Sequence, residues 1–548
     1  MLSVTKFFLF ILLPCNFIIA QQSEKGFDII HYKLNLDLYN CFISPFPQSF
    51  KGFAEIKIKV DKEINNILLD ASSYSIKIDS TSGNIQSFNH SDDKLSLTFR
   101  NSMSANDSIR FTVYYTHKNV RDGAFLSDNR MVFTNNAPEG ARNWFPCYDH
   151  PSDKATFELI AKTPANVLLG SNGSLIDSTL TADTVYYHWK NRDPVATYLI
   201  VISAKVDYNL DIVGWINPES NEIIPTRFYW QDGENIENLN NIKSINTPMM
   251  DFFSELFSPY PFEKNGYATL NEHFVYGGME NQTLTSIGFD SWREILIVHE
   301  FTHAWFGNMI THKNWSDVWL NESFANYCEA LWIEHTKGKE EYKKYIKIEA
   351  ERYFRENPGF PVYNSWWNDE TPPSNILYNG AIIYSKGACV LSMFRNVVGD
   401  SLFFAVLKSY TNDERFRFGN ADTDDFISVV NKITGKDYTK YFNQWLKTAD
   451  HPVYQNYFVI TEDENEFRID LTINQVQDNE TAYEMPVTLQ IIFSDGTNKI
   501  LKILNSKRAE NYFFKFEKEP VELIFDPFNE IVLKEDENIK VDAIEITY

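Results

Sequence analysis

Cysteine is scarce in this chain: five occur in 548 residues, and no two are spaced as CxxC. That pattern argues against cysteine-based zinc modules and dithiol redox motifs. Positive charge is also in short supply, with Lys plus Arg 50 against Asp plus Glu 74 and a net charge of −24. A chain this acidic has little with which to track phosphate backbones, so nucleic acid is not its expected partner. Beyond the first twenty residues there is no uninterrupted apolar run of membrane-spanning length, so no transmembrane segment is expected in the mature chain. Internal repeats and low-complexity linkers are missing as well, which argues against solenoids, collagen and long coiled coils. Aromatic side chains, by contrast, make up 15% of the chain, and they suit large cores and sheet faces. At about 150 residues per domain, the length implies three or four domains.

Lys6 precedes an almost wholly apolar run from Phe7 to Ala20. The run is too short to span a bilayer, and Ala20-Gln21-Gln22 is a suitable cleavage point. Residues 1–20 therefore read as a signal peptide, and the mature chain is expected to be exported, either secreted or periplasmic. A lipid anchor on Cys15 is the weaker alternative, because Pro14 spoils the lipobox. Loss of Cys15 leaves Cys41, Cys147, Cys328 and Cys389. These permit three full disulfide pairings, and the sequence does not choose among them or between them and buried free thiols. Oligomeric state is likewise left open.

The hydrophobic period divides the rest into three regions and gives a multidomain α+β fold. Over residues 21–210, apolar residues alternate with polar ones, as in Tyr32, Leu34, Leu36 and Leu38, in Ala54, Ile56, Ile58 and Val60, and in Ile109, Phe111, Val113 and Tyr115. Alternation of this kind predicts an antiparallel β domain with one buried face per sheet. Residues 211–450 read as mainly helical. Thr247-Pro248 is expected to start a helix, Ser291 to Ile310 to form one, and further helices to run from Trp319 to Gly338, Tyr384 to Gly399 and Thr423 to Gly435. Period two returns over residues 451–548, with an Asp495-Gly496 turn, and predicts a β-sandwich.

The chemistry-bearing motif lies in the helical region. His299-Glu300-Phe301-Thr302-His303 is an HExxH, which on a helix sends both imidazoles from one face. Two such nitrogens suit tetrahedral zinc, and Glu300 projects where a general base is needed. The flanking Ile295, Leu296, Val298, Ala304, Trp305 and Phe306 make the helix a buried one, where unpaired His and Glu would be costly without a metal. Glu322, in Trp319-Leu320-Asn321-Glu322-Ser323, follows after 18 residues. If 311–318 is a loop between antiparallel helices, Glu322 can serve as the third ligand.

HExxH followed by that Trp-Leu-Asn-Glu segment resembles the zinc signature of the gluzincin aminopeptidases of the M1 family, in an aminopeptidase N-like, three-domain form. Gly277-Gly278-Met279-Glu280-Asn281 is similar to the family's exopeptidase motif, Tyr384-Ser385-Lys386-Gly387-Ala388 to its catalytic-tyrosine segment, and Gly140 to Pro151 to a further family block. The resemblance implies a saddle-like N-terminal β domain, a thermolysin-like catalytic domain and a C-terminal β-sandwich. It also implies one Zn2+ per chain, held by His299, His303 and Glu322, and peptide substrates with free N-termini. Glu300 would act as general base and Tyr384 as oxyanion stabiliser. Gly277, Gly278, Met279, Glu280 and Asn281 would line the substrate, with the Glu280 carboxylate pairing the free amino group. Several departures stand out. Asn135 follows Thr134 where many members carry Gln or Glu, so its part in amino-group binding rests on a shorter side chain. Ser323 replaces a common Gly, and Gln282-Thr283 follows Asn281. No helical segment follows the C-terminal strands, so an open cleft is expected. Asn281-Gln282-Thr283 and Asn321-Glu322-Ser323 have the form of glycosylation sequons on proposed site segments, which favours export without efficient N-glycosylation, as in a bacterial periplasm. A leukotriene A4 hydrolase-like enzyme and a non-catalytic scaffold are the alternatives.

Overall fold

The computed structural model describes residues 25–463 and 466–541; the signal segment expected over 1–20 lies outside them. The first region is built almost wholly of strands. Its largest sheet orders Ser174–Thr181, Thr184–Lys190, Lys154–Pro164, Phe27–Asp37, Phe50–Val60, Ser108–His117 and Ile76–Gly83 side by side, with the short Val195–Ala196 pairing Lys154–Pro164. The alternating residues behave as their period requires: Leu34, Leu36, Ala54, Ile56, Ile58 and Val60 are fully buried, while their sequence neighbours face outward. One pairing departs from the all-antiparallel expectation. Phe27–Asp37 runs parallel to Lys154–Pro164, in register from His31 with Thr156 to Asp37 with Lys162. More than a hundred residues separate these two strands, so no hairpin dictates their sense.

A second sheet orders Asn209–Ile216, Ile223–Trp230, Asn265–Leu270, Thr285–Gly288 and Gly278–Met279. Gly278–Met279 forms its edge and lies antiparallel to Thr285–Gly288. The helices α1 (Ile236–Leu256) and α2 (Glu294–Thr302) pack beside it, α3 (Trp319–Lys337) packs on α2, and α4 (Lys339–Glu356) on α3.

Two helix boundaries differ from expectation. Thr247-Pro248 does not start a helix; α1 begins earlier, at an Asn235 cap whose side chain accepts from the Glu237 and Asn238 amides. Pro248 falls inside α1 on its exposed face, where water can satisfy the carbonyl that loses its partner. The helix expected from Ser291 to Ile310 is shorter, because α2 ends at Thr302. The chain then turns through Gly307, whose φ of +134° disfavours a side chain. The segment 311–318 is not a solvated loop either. Thr311–His312 pairs with Asn420–Ala421, and two of the segment's polar side chains are met internally: Asp317 accepts from the Thr423 amide and hydroxyl, and Ser316 donates to the Asn364 carbonyl.

The last region is a sandwich. One sheet orders Ala509–Phe516, Glu466–Gln475, Val453–Asp463 and Glu535–Lys540, and the other orders Asn498–Asn505, Met485–Phe493 and Pro520–Phe525. It docks on the helical region through Gln444, whose amide exchanges hydrogen bonds with the Glu484 backbone at 3.0 and 2.8 Å. Cys41, Cys147, Cys328 and Cys389 are buried free thiols.

The strand Lys154–Pro164 also anchors the turn behind the HExxH helix. The buried Lys154 ammonium donates to the carbonyls of Asn308 at 2.7 Å and Met309 at 3.1 Å. Burial lowers its pKa to about 7. Lys154→Met removes the donor and leaves buried carbonyls unmet, at a cost of about 1–3 kcal/mol. The variant is expected to unfold at a lower temperature in calorimetry; an unchanged midpoint would mean this contact is not holding the turn.

Candidate active site

The HExxH sits at the C-terminal end of α2, with His299 inside the last turn and His303 at the cap. Glu322 opens the first turn of α3, which packs against α2. Both imidazole Nε2 atoms lie 3.4 Å from the same atom, Glu322 Oε2. Four ligands at about 2.0–2.1 Å from a tetrahedral zinc stand about 3.3–3.4 Å apart along each edge. The two measured separations are therefore edges of such a site, too long for good hydrogen bonds.

Neighbouring groups orient each imidazole. His299 Nδ1 donates to Glu329 Oε1 at 2.8 Å, and His303 Nδ1 donates to the Phe306 carbonyl at 2.9 Å. With Nδ1 carrying the proton, each Nε2 lone pair is left to face Glu322. Glu329 is fixed in turn by the Tyr345 hydroxyl at 2.6 Å. Neither Glu329 nor Tyr345 belongs to the sequence-derived site; helical spacing from Glu322 puts Glu329 two turns along α3 on nearly the same face, and that was the available signal.

The charge of this cluster calls for a cation. Burial disfavours the His303 imidazolium, yet Glu280 and Glu322 outweigh it and hold its pKa at about 9. Burial also raises Glu280 and pushes Glu300 up to about 8. For Glu322, burial works in the opposite direction to the two histidines, which win and hold its carboxyl far below the usual range. Glu300 Oε2 is buried without a hydrogen-bond partner. Carboxylates crowded around two imidazoles, with an orphaned oxygen among them, fit a metal ion and its water.

The substrate-side residues are partly assembled. Gly278, Met279, Glu280, His299, Glu300, His303, Glu322 and Tyr384 line one cavity of about 90 Å³, together with Ala137, Tyr276 and Tyr378. Gly278 is required there, since a Cβ would stand 2.1 Å from Glu300 Oε1. Gly277 lines an adjoining, more open cavity. Asn281 instead points into the sheet, where its side chain accepts from Ser286 at 3.0 Å. Asn135 does not line the cavity; Ala137 is the residue of its segment that does. Tyr378 and Tyr276 were not evident from sequence, because neither lies in a motif with catalytic spacing.

Tyr384 stands on a π-helical turn, Gly380–Lys386, that runs into the helix Gly387–Val398. Its ring stacks on His299 with centroids 5.8 Å apart. Burial, reinforced by Glu322, raises its hydroxyl pKa, so it stays a protonated donor. The turn is clamped to α3 and α4. Ser323 donates to the Ile383 carbonyl at 2.5 Å, while Ser385 and Asn326 both donate to Glu349 at 2.6 and 2.9 Å. Ser323 thus does more than replace a glycine: it satisfies a carbonyl in the irregular turn next to Tyr384.

An HExxH pair closed by a glutamate from the following helix, beside an edge strand and a tyrosine, defines a metallopeptidase-type centre. The chain matches the Peptidase M1 N-terminal domain over residues 29–199 and the Peptidase family M1 domain over residues 243–445, and it belongs to peptidase family M1. It is 26% identical to the alanine/arginine aminopeptidase of Saccharomyces cerevisiae over 535 residues, covering 88% of this chain and 58% of the yeast protein. Identity to Aminopeptidase M1-C of Oryza sativa subsp. japonica is 27%, over 59% of this chain and 37% of the rice protein. The chain therefore spans about half, or less, of the length of these relatives. The M1 zinc metallopeptidase of Deinococcus radiodurans shares the fold, with a TM-score of 0.66 and 23% identity over 78% of this chain and 95% of that one.

Glu329→Ala frees His299 Nδ1, and loss of such a partner typically weakens metal binding by about 10–100-fold. Competition with a chromophoric chelator should show that loss; wild-type affinity in the variant would mean His299 needs no such support.

Proposed function

We propose that the protein is a zinc-dependent aminopeptidase that removes N-terminal residues from peptides. The observation that carries the reading is the convergence of His299, His303 and Glu322 on one point, with Glu300 and Glu280 in the same cavity. When bound there, zinc supplies Lewis acidity, which lowers the pKa of water and polarises a carbonyl.

The chain's own groups supply the rest. The partnerless Oε2 of Glu300 is free to take a proton from water and pass it to the departing amine. Gly278 fixes where that carboxylate lies, since backbone without a side chain passes directly over it. The Tyr384 hydroxyl donates to the oxygen of the carbonyl under attack, held by the clamped turn rather than by a mobile loop. Glu280, buried in the cavity with His303 nearby, would pair with the ammonium of a peptide N-terminus. That pairing would register the first peptide bond over the metal site and make the enzyme an exopeptidase. Gly277, Met279 and Asn281 frame this end of the site, Asn281 through the sheet rather than by contact. A role for Asn135 would need its side chain to move toward the cavity that Ala137 lines.

We further propose export to the periplasm or the medium after removal of residues 1–20, a reading supported by the apolar segment behind Lys6. The working division of the chain is 21–210, 211–450 and 451–548.

Metal analysis is expected to find one zinc per chain, and aminoacyl-anilides should be turned over while their N-acetylated forms are not. Turnover that survives acetylation would contradict the Glu280 anchor. Glu300→Gln should retain zinc and lose nearly all kcat; loss of the metal instead would make Glu300 structural. Tyr384→Phe should lower kcat by about 10²–10³ with a smaller change in KM, and an unchanged kcat would remove the hydroxyl from the mechanism.

A further inference from the structure

Two cavities meet at the HExxH helix and share Tyr276, Gly278, His299, Glu300 and Tyr384. The smaller contains Glu280. The other, about 450 Å³ and more open, adjoins it and does not contain Glu280. In an acidic protein this second cavity carries two arginines, Arg293 and Arg352. They come from different elements. Arg293 precedes α2, with its guanidinium near Gly277, just before the edge strand, where a Cβ would stand 3.6 Å from Nη2. Arg352 lies on α4, with its guanidinium so close to Gly380, the start of the Tyr384 turn, that a Cβ there would meet Nη2 at 2.0 Å.

Neither arginine is used up by the protein. Among the described residues Arg293 has no ion-pair partner. Arg352 reaches Glu356 at 3.4 Å, but both side chains are more than two-fifths exposed, and such pairs contribute little. Three carboxylates share the cavity: Glu300 also lines the smaller cavity beside the two imidazoles, Glu329 holds His299 and Tyr345, and Glu349 holds Asn326 and Ser385. The arginines are thus free to meet an anion from the ligand. With an ammonium at Glu280, the chain direction sends the peptide's C-terminal side into their cavity, and the guanidinium fork matches a carboxylate.

We infer that Arg293 and Arg352 form a subsite for the C-terminal carboxylate of short peptides, so that the preferred substrates are di- and tripeptides carrying both free termini. The inference rests on the aminopeptidase reading and adds a second charged anchor to it. Such peptides are the final products of endopeptidase digestion, so this subsite would place the enzyme after that class of reaction.

The test compares kcat/KM for Ala-Phe and Ala-Phe-amide in the zinc-loaded protein, with an aminoacyl-anilide assayed in parallel. The free acid is expected to be favoured by about tenfold or more, the scale of one charge-assisted contact. In the Arg293→Gln, Arg352→Gln double variant that ratio should fall close to one. Equal rates for acid and amide in the wild-type protein, with the anilide still cleaved, would overturn the carboxylate subsite and leave the aminopeptidase reading standing. No turnover of any of the three substrates would overturn both. A preference that persists in a double variant with the wild-type melting temperature would mean other groups bind the carboxylate. If the Gln variants do not fold, Arg293→Lys and Arg352→Lys replace them, and the preference should weaken in each; full retention in both would count against the arginine forks.

Discussion

Everything in the catalytic region is arranged around one electrostatic problem: carboxylates and two imidazoles buried on facing helices. Glu280, Glu300 and Glu322 all lie close to His303, Glu322 lies close to His299 as well, and all three carboxylates are nearly cut off from water. Left to themselves, such groups would neutralise one another by taking up protons, which is what the raised values for His303 and Glu300 express. A divalent cation at the point facing both Nε2 atoms and Glu322 Oε2 relieves the same imbalance without protonation. A cluster so costly to bury is tolerated only where its surroundings hold it in place.

A chain of buried polar contacts surrounds the cluster. The α3 helix carries Glu322, Ser323, Asn326 and Glu329 within about two turns, and each has a task. Glu322 faces the imidazoles, Ser323 holds the carbonyl before Tyr384, Asn326 meets Glu349 on α4, and Glu329 fixes His299. Glu349 also takes the Ser385 hydroxyl, so one buried carboxylate ties α3, α4 and the tyrosine turn together. Behind the site, Lys154 fastens the first β region to the turn after His303. The acid-rich interior and the strand scaffold are in this way mechanically coupled.

Much of this was legible in the sequence, and the reasons differ from place to place. Period-two runs such as Ala54 to Val60 declare a buried face directly, and HExxH declares two imidazole donors because helical spacing fixes their direction, whereas Glu322 is found through the resemblance of its segment to the M1 signature. Helix ends were less legible. Pro248 suggested a start, but Asn235 supplies the cap and solvent tolerates the proline; α2 stops early because the chain must turn at Gly307. The parallel pairing of Phe27–Asp37 with Lys154–Pro164 has no local signature. Asn135 and Asn281 were placed in the site by motif, whereas the fold gives the cavity Ala137 and turns Asn281 toward Ser286. Tyr378, Tyr276 and the two cleft arginines come from separate segments that only tertiary structure brings together.

The central claim is that this constellation is a metal site built to tetrahedral dimensions. Crystals of the zinc-loaded protein, measured at the zinc absorption edge, test it most directly. The account predicts one strong anomalous peak about 2.0–2.2 Å from His299 Nε2, His303 Nε2 and a Glu322 oxygen, with Glu300 alongside but outside the coordination sphere. A peak elsewhere, or none when zinc is bound stoichiometrically in solution, would contradict it.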